Sequence, residues 1–313
     1  MKLGWFSKTL AVALSSLLAL VGLSYVSPAK ALDGSKFDPG LIISDSVFFD
    51  FGTMTVDDIQ RFLDSQVPVC KSKPTGMPCL KDYKADTPEK AADPGKCAYM
   101  PAKSKISAAQ MIYDISRACG INPRVLLVTL QKEQGLVQAT IPSPYMYRAA
   151  MGYGCPDSDP GICGKVWVGL FNQVYKAAGQ FQWYGDPNGS FTYLRPGRTV
   201  SIDYNEVKSK NCGKRTFLLK SQATANLYYY TPYTPNQAAL NNLRGIGDSC
   251  SAYGNRNFWR FYWDWFGSPI GGGFLLKSST SDVYFISNDV KYPLADQSLA
   301  EDLAPLGPLG EIS

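Results

Sequence analysis

Apolar positions recur along this chain at helical spacing far more often than in strict alternation. Val56, Ile59, Phe62, Leu63 and Val67 form one face of a helix, opened by Thr55 and Asp58 at capping-box spacing. Ala108, Met111, Ile112, Ile115 and Ala118 mark a second helix, which Ser107 opens and Cys119-Gly120 closes. Only Gly120 and Ile121 separate it from Asn122, a good N-cap followed by Pro123 at the first helical position, so the next helix must pack beside it. That helix runs to Gly135. The longest amphipathic stretch, residues 164–184, puts Trp167, Leu170, Phe171, Val174, Ala178, Phe181 and Tyr184 on one broad face and stops at Gly185. Residues 221–230 and 237–243 read as helices around an extended Thr231-Pro232-Tyr233-Thr234-Pro235, and residues 258–266 as a closing aromatic helix.

Strand signals are fewer. Residues 47–51 read as a strand or packed extended arm, and residues 191–193 and 199–202 as the strands of a small antiparallel ribbon, with 215–219 a third. After the linker Gly271-Gly272-Gly273, residues 274–277, 283–286 and 290–292 are strand-sized pieces around a Ser287-Asn288-Asp289 turn, and an apolar segment follows to Leu306. Between Pro68 and Pro101, Lys, Asp, Pro and Gly dominate and three cysteines punctuate, the pattern of a disulfide-tied loop. The fold class that follows is α+β, mainly α. An N-terminal extension (32–105) with one helix and the tied loop precedes a helical domain with a β-ribbon (106–267), and a small β-rich module (274–313) ends the chain.

The first 31 residues change the picture of charge and compartment. Lys2 and Lys8 precede an apolar run from Leu10 to Val26, and Ala29-Lys30-Ala31 is an A-x-A cleavage site, the layout of a signal peptide with the mature chain starting at Leu32. Left uncleaved, the run would act as a membrane anchor, the only membrane association expected. The whole chain carries a formal +5, but residues 1–31 hold three lysines and no acid, so 28 basic and 26 acidic residues remain, about +2. No basic run with interleaved aromatics points to nucleic acid. All eight cysteines lie in the exported part, and an even count in that compartment reads as a disulfide framework. Cys155 is expected to pair with Cys163 and Cys212 with Cys250, with two further bridges among Cys70, Cys79, Cys97 and Cys119.

The chain has no histidine, which excludes Ser-His-Asp and Cys-His catalysis and H-E-x-x-H zinc sites. No C-x-x-C occurs, and neither metal nor cofactor is expected. Chemistry must therefore run on carboxylate, Tyr, Lys, Ser or Thr. The candidate is Glu133: at about 100° per residue it shares a stripe with Leu126, Leu130 and Val137, and it sits in the last helical turn. Lost hydration and the negative end of the helix dipole both disfavour a charged carboxylate there, so Glu133 reads as a proton donor. Farther on, Gly152-Tyr153-Gly154 suggests backbone that approaches something closely. The 40 aromatic side chains suit a carbohydrate groove as well as a core.

Three stretches carry a resemblance. The run Asn122-Pro123-Arg124-Val125-Leu126-Leu127-Val128-Thr129-Leu130-Gln131-Lys132-Glu133-Gln134, the loop Ala150-Met151-Gly152-Tyr153-Gly154, and Leu227-Tyr228-Tyr229-Tyr230-Thr231-Pro232-Tyr233 resemble the lysozyme-like, soluble lytic transglycosylase and bacterial glucosaminidase domains exported by actinobacteria. The likeness spans residues 106–267. It implies a lysozyme-like fold acting on peptidoglycan glycan strands, with Glu133 as acid and then base while the sugar's own 6-hydroxyl attacks. It further implies a substrate-facing loop at Gly152 and Tyr153, and a Tyr, either Tyr230 or Tyr233, brought towards the Glu. Where the family carries Glu-Ser, this chain has Glu133-Gln134, which puts Gln134 at the glycan. A hydrolytic N-acetylglucosaminidase or muramidase is the enzymatic alternative and needs a second carboxylate. Asp157 and Asp159 are the nearest in sequence past the loop, and their polar turn reads as solvated. A non-catalytic wall-binding or adhesive protein is the alternative without chemistry. All three place the chain outside the cell or at its wall.

Overall fold

Thr55 and Asp58 cap their helix as the spacing predicts, each side chain meeting the other residue's backbone N–H, and the helix α2 spans Val56–Gln66. The computed structural model describes residues 32–155, 163–164, 166–271, 274–277, 282–287, 290–294, 298–299 and 310–311. Before α2 comes α1 (Asp45–Phe48), and after it β1 (Lys84–Thr87), β2 (Lys103–Ser107), α3 (Ala108–Cys119), α4 (Pro123–Gln134) and α5 (Pro144–Arg148). Then follow α6 (Leu170–Gly185), β3 (Thr199–Asp203), β4 (Lys214–Leu218), α7 (Gln222–Tyr230), α8 (Gln237–Asn241) and α9 (Gly254–Phe266). The mixture is helix with small, mainly antiparallel sheets.

The helix α4 lies at the centre. Val125, Leu126, Leu127, Val128, Thr129 and Leu130 all have no exposed surface, so the helix is enclosed all round rather than along the single stripe read from its sequence. The hydroxyl of Thr129 donates to the Val125 carbonyl at 2.8 Å, which satisfies the polar group inside that shell. Helices α3 and α9 pack against α4, and α6 packs on α3 and α7. Aromatic edges close the seams: Phe37 meets Trp259 at 5.5 Å, Phe48 meets Phe181 at 5.3 Å, and Phe62 meets Trp265 at 5.2 Å. Residues 32–105 share this core through Phe37, Ile42, Ile43, Phe48, Ile59, Leu63 and Leu80.

Several elements depart from the sequence reading. Residues 47–51 contain no strand; Ser44 accepts from the Val47 N–H and starts the short helix α1, which leaves the Phe48 side chain fully buried. The polar segment 68–101 includes β1, which pairs with β2 antiparallel through Ala85↔Ile106. Those strands read Lys-Ala-Asp-Thr and Lys-Ser-Lys-Ile-Ser, without apolar alternation, so their pairing was invisible to pattern. Residues 191–193 are not a strand either. Phe191 instead packs on Tyr184 and Tyr229 at 4.6 and 5.0 Å, and the ribbon has two strands, β3 and β4, in register from Thr199↔Leu218 to Asp203↔Lys214. Helix α6 begins six residues later than periodicity suggests, at Leu170, because Trp167 turns aside to fill space left by two glycines. Helix α9 begins earlier than residue 258, at Gly254.

At the C-terminal end β5 (Phe274–Lys277), β6 (Val283–Ser287) and β7 (Val290–Pro293) form the expected antiparallel strands. A fourth, β8 (Gly310–Glu311), joins β5 in parallel. The Asn288-Asp289 part of the turn and most of the apolar segment to Leu306 lie outside the described residues.

Four disulfides are present: Cys70–Cys79, Cys97–Cys119, Cys155–Cys163 and Cys212–Cys250. Both expected pairs form, and the first four cysteines pair among themselves. Such bonds persist in oxidising, non-cytosolic compartments. No helix among the described residues is long and apolar enough to cross a membrane.

The start of α4 is the point where the N-terminal segment is fastened. Asn122, with no exposed surface, accepts from the Arg124 N–H at 2.9 Å as N-cap and from the Thr53 hydroxyl at 2.7 Å. It also donates its amide to the Val47 carbonyl at 2.7 Å. Replacing Asn122 by Ala removes a cap and strands buried groups, so Asn122→Ala should lower stability in urea unfolding by about 3 kcal/mol. Thr55→Ala, which removes a cap at an exposed position, should cost about 1 kcal/mol.

Candidate functional site

Gly135, with φ of +66°, ends α4, and the last side chains of the helix emerge there from the core. The Glu133 side chain keeps 23% of its surface and that of Lys132 only 4%. Neighbours in a helix normally point apart. Here the two long side chains bend to one place, and the Lys132 ammonium lies 2.5 Å from Glu133 Oε1. The same ammonium donates to the Thr231 hydroxyl at 2.7 Å and sits 5.5 Å from the centre of the Tyr230 ring. The end of α7 is thus drawn onto the end of α4.

The loop after α5 supplies the facing wall. Gly152 has φ of +70°, a conformation that favours glycine, and a Cβ built there would lie 3.4 Å from Glu133 Oε2. One carboxylate oxygen is therefore turned to Lys132 and the other to bare backbone. Gly154, the second glycine of the motif, serves packing instead: a Cβ there would lie 2.0 Å from the Trp167 ring. Of the two close approaches that the glycines suggested, one is to the carboxylate and one to a tryptophan.

Two side chains hold this loop in place. Gln173 on α6 is fully buried; its carbonyl oxygen accepts from the N–H groups of Met151 and Tyr153 at 3.1 Å each. Its amide donates to the carbonyls of Tyr153 and Trp167, both at 2.8 Å. A buried amide with every bond made is a rigid clamp. From the other side the Tyr230 hydroxyl donates to the Met151 carbonyl, while its ring packs 4.7 Å from Phe181. Burial pushes the Tyr230 hydroxyl well above the ordinary tyrosine range, and the Glu133 carboxylate adds to that, so the group stays a neutral donor.

The six residues singled out from sequence are not all brought together. Glu133, Gly152 and Tyr230 meet. Tyr153 follows on the same loop, its hydroxyl donating to Gln180 at 3.3 Å and its ring set edge-on to Trp167 at 5.6 Å. Gln134 is the last residue of α4, half-buried, and its amide makes no side-chain hydrogen bond among the described residues. Tyr233 goes elsewhere. Its backbone carbonyl accepts from the Asn255 amide at 2.9 Å, and its charge, when ionised, would favour that of Lys208, in the loop between the ribbon strands. Asp157 and Asp159 lie outside the described residues.

Sequence reading missed Lys132, Thr231 and Gln173. A signal existed for Gln173 alone: a Gln between Phe171 and Val174 on an otherwise apolar helix face. Lys132 reads in sequence as a solvated neighbour, and only the fold places Thr231 above it.

Two cavities lie beyond Tyr153. One of about 30 Å³, room for a single water, is walled by Tyr153, Gln180, Asp93 and Lys96. The other, an open depression of about 910 Å³, shares Asp93 and Lys96 and reaches Arg117 and Asp186. Glu133 lines neither. No group of three metal-ligating side chains that could hold an ion is found among the described residues. Comparison of the chain with protein-family models, with curated proteins and with solved structures finds no match.

Two outcomes follow from this arrangement. Lys132→Met breaks a nearly enclosed ion pair and leaves Glu133 partly buried without its cation. Because Glu133 keeps some contact with water, urea unfolding should show a loss of about 2 kcal/mol rather than the larger cost of a fully buried pair. The second concerns alkaline pH. Burial raises Tyr184 to about 12, with Tyr153 adding and a Gln180 hydrogen bond opposing, and raises Tyr262 to about 12, with Arg124 opposing. A group protonated more tightly when folded stabilises the fold fully below its unfolded value, about 10 for tyrosine, and loses that contribution as pH climbs through the folded value. Unfolding free energy should therefore fall between about pH 10 and about pH 12, by about 1.4 kcal/mol per unit for each tyrosine. Urea melts across this range check it, and Tyr184→Phe and Tyr262→Phe should each flatten the slope.

Proposed function

We propose that this chain is an exported, lysozyme-like enzyme that cleaves the glycan strands of peptidoglycan in the manner of a lytic transglycosylase, with Glu133 as its single acid and base. The observation that carries the reading is the meeting of Glu133, Gly152 and Tyr230. A carboxylate at the end of a buried helix keeps a quarter of its surface, faces a side-chain-free stretch of backbone, and has a neutral tyrosine hydroxyl anchoring the loop opposite. Three stretches far apart in sequence, each of which resembles the same family, converge on one carboxylate. Among the described residues no Asp or Glu forms a hydrogen bond or ion pair in this cluster besides Glu133. A single-carboxylate route fits that better than hydrolysis, which pairs two.

In this reading Glu133, an ionised partner of Lys132 in the free chain, first takes up a proton from solvent as the sugar approaches Oε2. It then gives that proton to the oxygen that leaves, and the bond between that oxygen and the sugar's C1 breaks. The 6-hydroxyl of the same sugar closes on C1 and returns its proton to Glu133, so no water is consumed and the product ends in an anhydro ring. Gly152 leaves room for the sugar at Oε2. Tyr230 holds the loop through Met151 rather than contacting the sugar through its own hydroxyl, and Tyr153, next on the loop and packed edge-on to Trp167, would stack on a sugar ring. The four disulfides agree with an extracellular or wall-bound chain.

A second reading has its own support. The ammonium of Lys132 already occupies Oε1, an arrangement that a non-catalytic wall-binding domain of the same fold would also keep. A wall-lysis assay separates the two. Glu133→Gln should lower the rate at least about 100-fold, as loss of a general acid does. Mass spectrometry of the digest should show anhydro ends. Reducing ends would establish hydrolysis instead, and equal lysis by parent and variant, or none by either, would leave binding alone.

A further inference from the structure

The open depression of about 910 Å³ carries two charged side chains that form no ion pair among the described residues. On one wall Arg117, near the end of α3, lies between two aromatic rings, its guanidinium 5.5 Å from the centre of Phe51 and 5.6 Å from that of Tyr113. It makes no ion pair and no side-chain hydrogen bond among the described residues, so a planar fork of N–H donors is held at the surface by stacking alone. Elsewhere on the wall Asp186, just past the end of α6, has a carboxylate that accepts one backbone N–H, from Asn188 at 2.7 Å, and forms no ion pair among the described residues; the Arg195 guanidinium donates to its backbone carbonyl at 2.8 Å. Arg117 and Asp186 line the same depression and do not pair with each other. In the same lining Lys96 and Asp93 do pair, at 3.1 Å, with the ammonium 5.1 Å from the centre of the Trp183 ring, so these two charges offset each other. What is left over is one fixed cation and one fixed anion, with room between them of the size that holds a small ligand.

We infer that this depression is a binding site for a short peptide bearing both a free carboxylate and a free ammonium, the carboxylate taken by Arg117 and the ammonium by Asp186. Bidentate pairing with a guanidinium selects a carboxylate by shape, and a lone carboxylate selects a cation. A ligand of one sign would satisfy one wall and be repelled by the other, whereas a zwitterion satisfies both. The site lies apart from Glu133 and does not rest on the glycan-cleaving reading.

The test uses the full exported chain with Glu133→Gln in place, so that no turnover confuses binding. The probe is a four-residue peptide with a lysine side chain and a free C-terminus, its α-amine acetylated, followed by titration calorimetry. It should bind saturably. Amidation of the C-terminus or acetylation of the lysine should each weaken binding about tenfold, the effect of one exposed charge-assisted contact. Arg117→Gln should cost the same and make C-terminal amidation harmless, while leaving sensitivity to lysine acetylation. Asp186→Asn, which keeps the bond to Asn188, should show the reverse pattern. The same peptide joined to a disaccharide separates the sources: equal or tighter binding marks a wall-borne peptide, and loss marks a free one. Absence of saturable binding at millimolar peptide would overturn the inference, as would binding that ignores the charge blocks or loses the cross-pattern between variants and peptides.

Discussion

A helix enclosed on every side cannot leave its ends to chance, and α4 is such a helix. Its first N–H groups and last carbonyls have no partners within the helix, and water does not reach the core to supply them. At the N-terminal end the solution is Asn122, which caps the helix while it binds Thr53 and Val47 and so fastens the segment that leads into the domain. At the C-terminal end the solution is a left-handed Gly135, whose N–H donates to the Gln131 carbonyl, and beside it the Lys132 ammonium reaches Glu133 and Thr231. The candidate chemistry is placed by the same requirement. The carboxylate emerges where a buried helix must stop.

From that stop the rest of the cluster follows by contact. Lys132 holds Thr231, and the turn of chain there sets the Tyr230 hydroxyl against the Met151 carbonyl. Gln173 takes both N–H groups that flank Gly152, so the loop is fixed from α6 as well as from α7. Three helices therefore determine one loop, and Oε2 faces that loop. Precision of this kind belongs to elements rather than to flexible connections. It also explains why polar groups as deeply placed as Gln173 and Thr129 are tolerated: each has its partners, and an apolar replacement of Gln173 would leave backbone groups of the loop unmatched.

Much of this was legible in the residues. Caps at Thr55, Ser107 and Asn122, stops at Gly120 and Gly135, and the pairs Cys155–Cys163 and Cys212–Cys250 could be read from local chemistry and spacing, whereas the partners among the first four cysteines could not. Elements whose partners are remote were not. The strands β1 and β2 have no apolar rhythm and exist because each faces the other. Residues 47–51 look β-prone by their aromatic and branched content, yet Ser44 and the burial of Phe48 against Phe181 favour one helical turn. For the site, Glu133 and Gly152 could be read and Lys132 could not, since whether a lysine at a helix end meets water or a hydroxyl depends on what packs above it. Tyr230 and Tyr233 are three residues apart and look equivalent as a pair, but α7 ends between them and turns them to different neighbours.

The polar segment between Pro68 and Pro101 has a composition that would not bury a core of its own, and covalent bonds make up the difference. Cys97–Cys119 ties its far end to α3, and the Ala98 N–H donates to the Ala118 carbonyl at 2.7 Å beside that bridge. Helix α6 comes close to the bridge because position 179 is glycine: a Cβ there would stand 3.1 Å from the Cys97 sulfur. The turn from Asp93 to Cys97 is thereby held against α3 and α6 at once, and it walls both the small cavity beside Tyr153 and the open depression with Arg117 and Asp186. A surface loop of this kind, rigid because it is stapled rather than because it is buried, can present charged groups to solvent at fixed positions, which a freely moving loop cannot. The disulfides are therefore part of how the surface is shaped and not only of how the fold is stabilised.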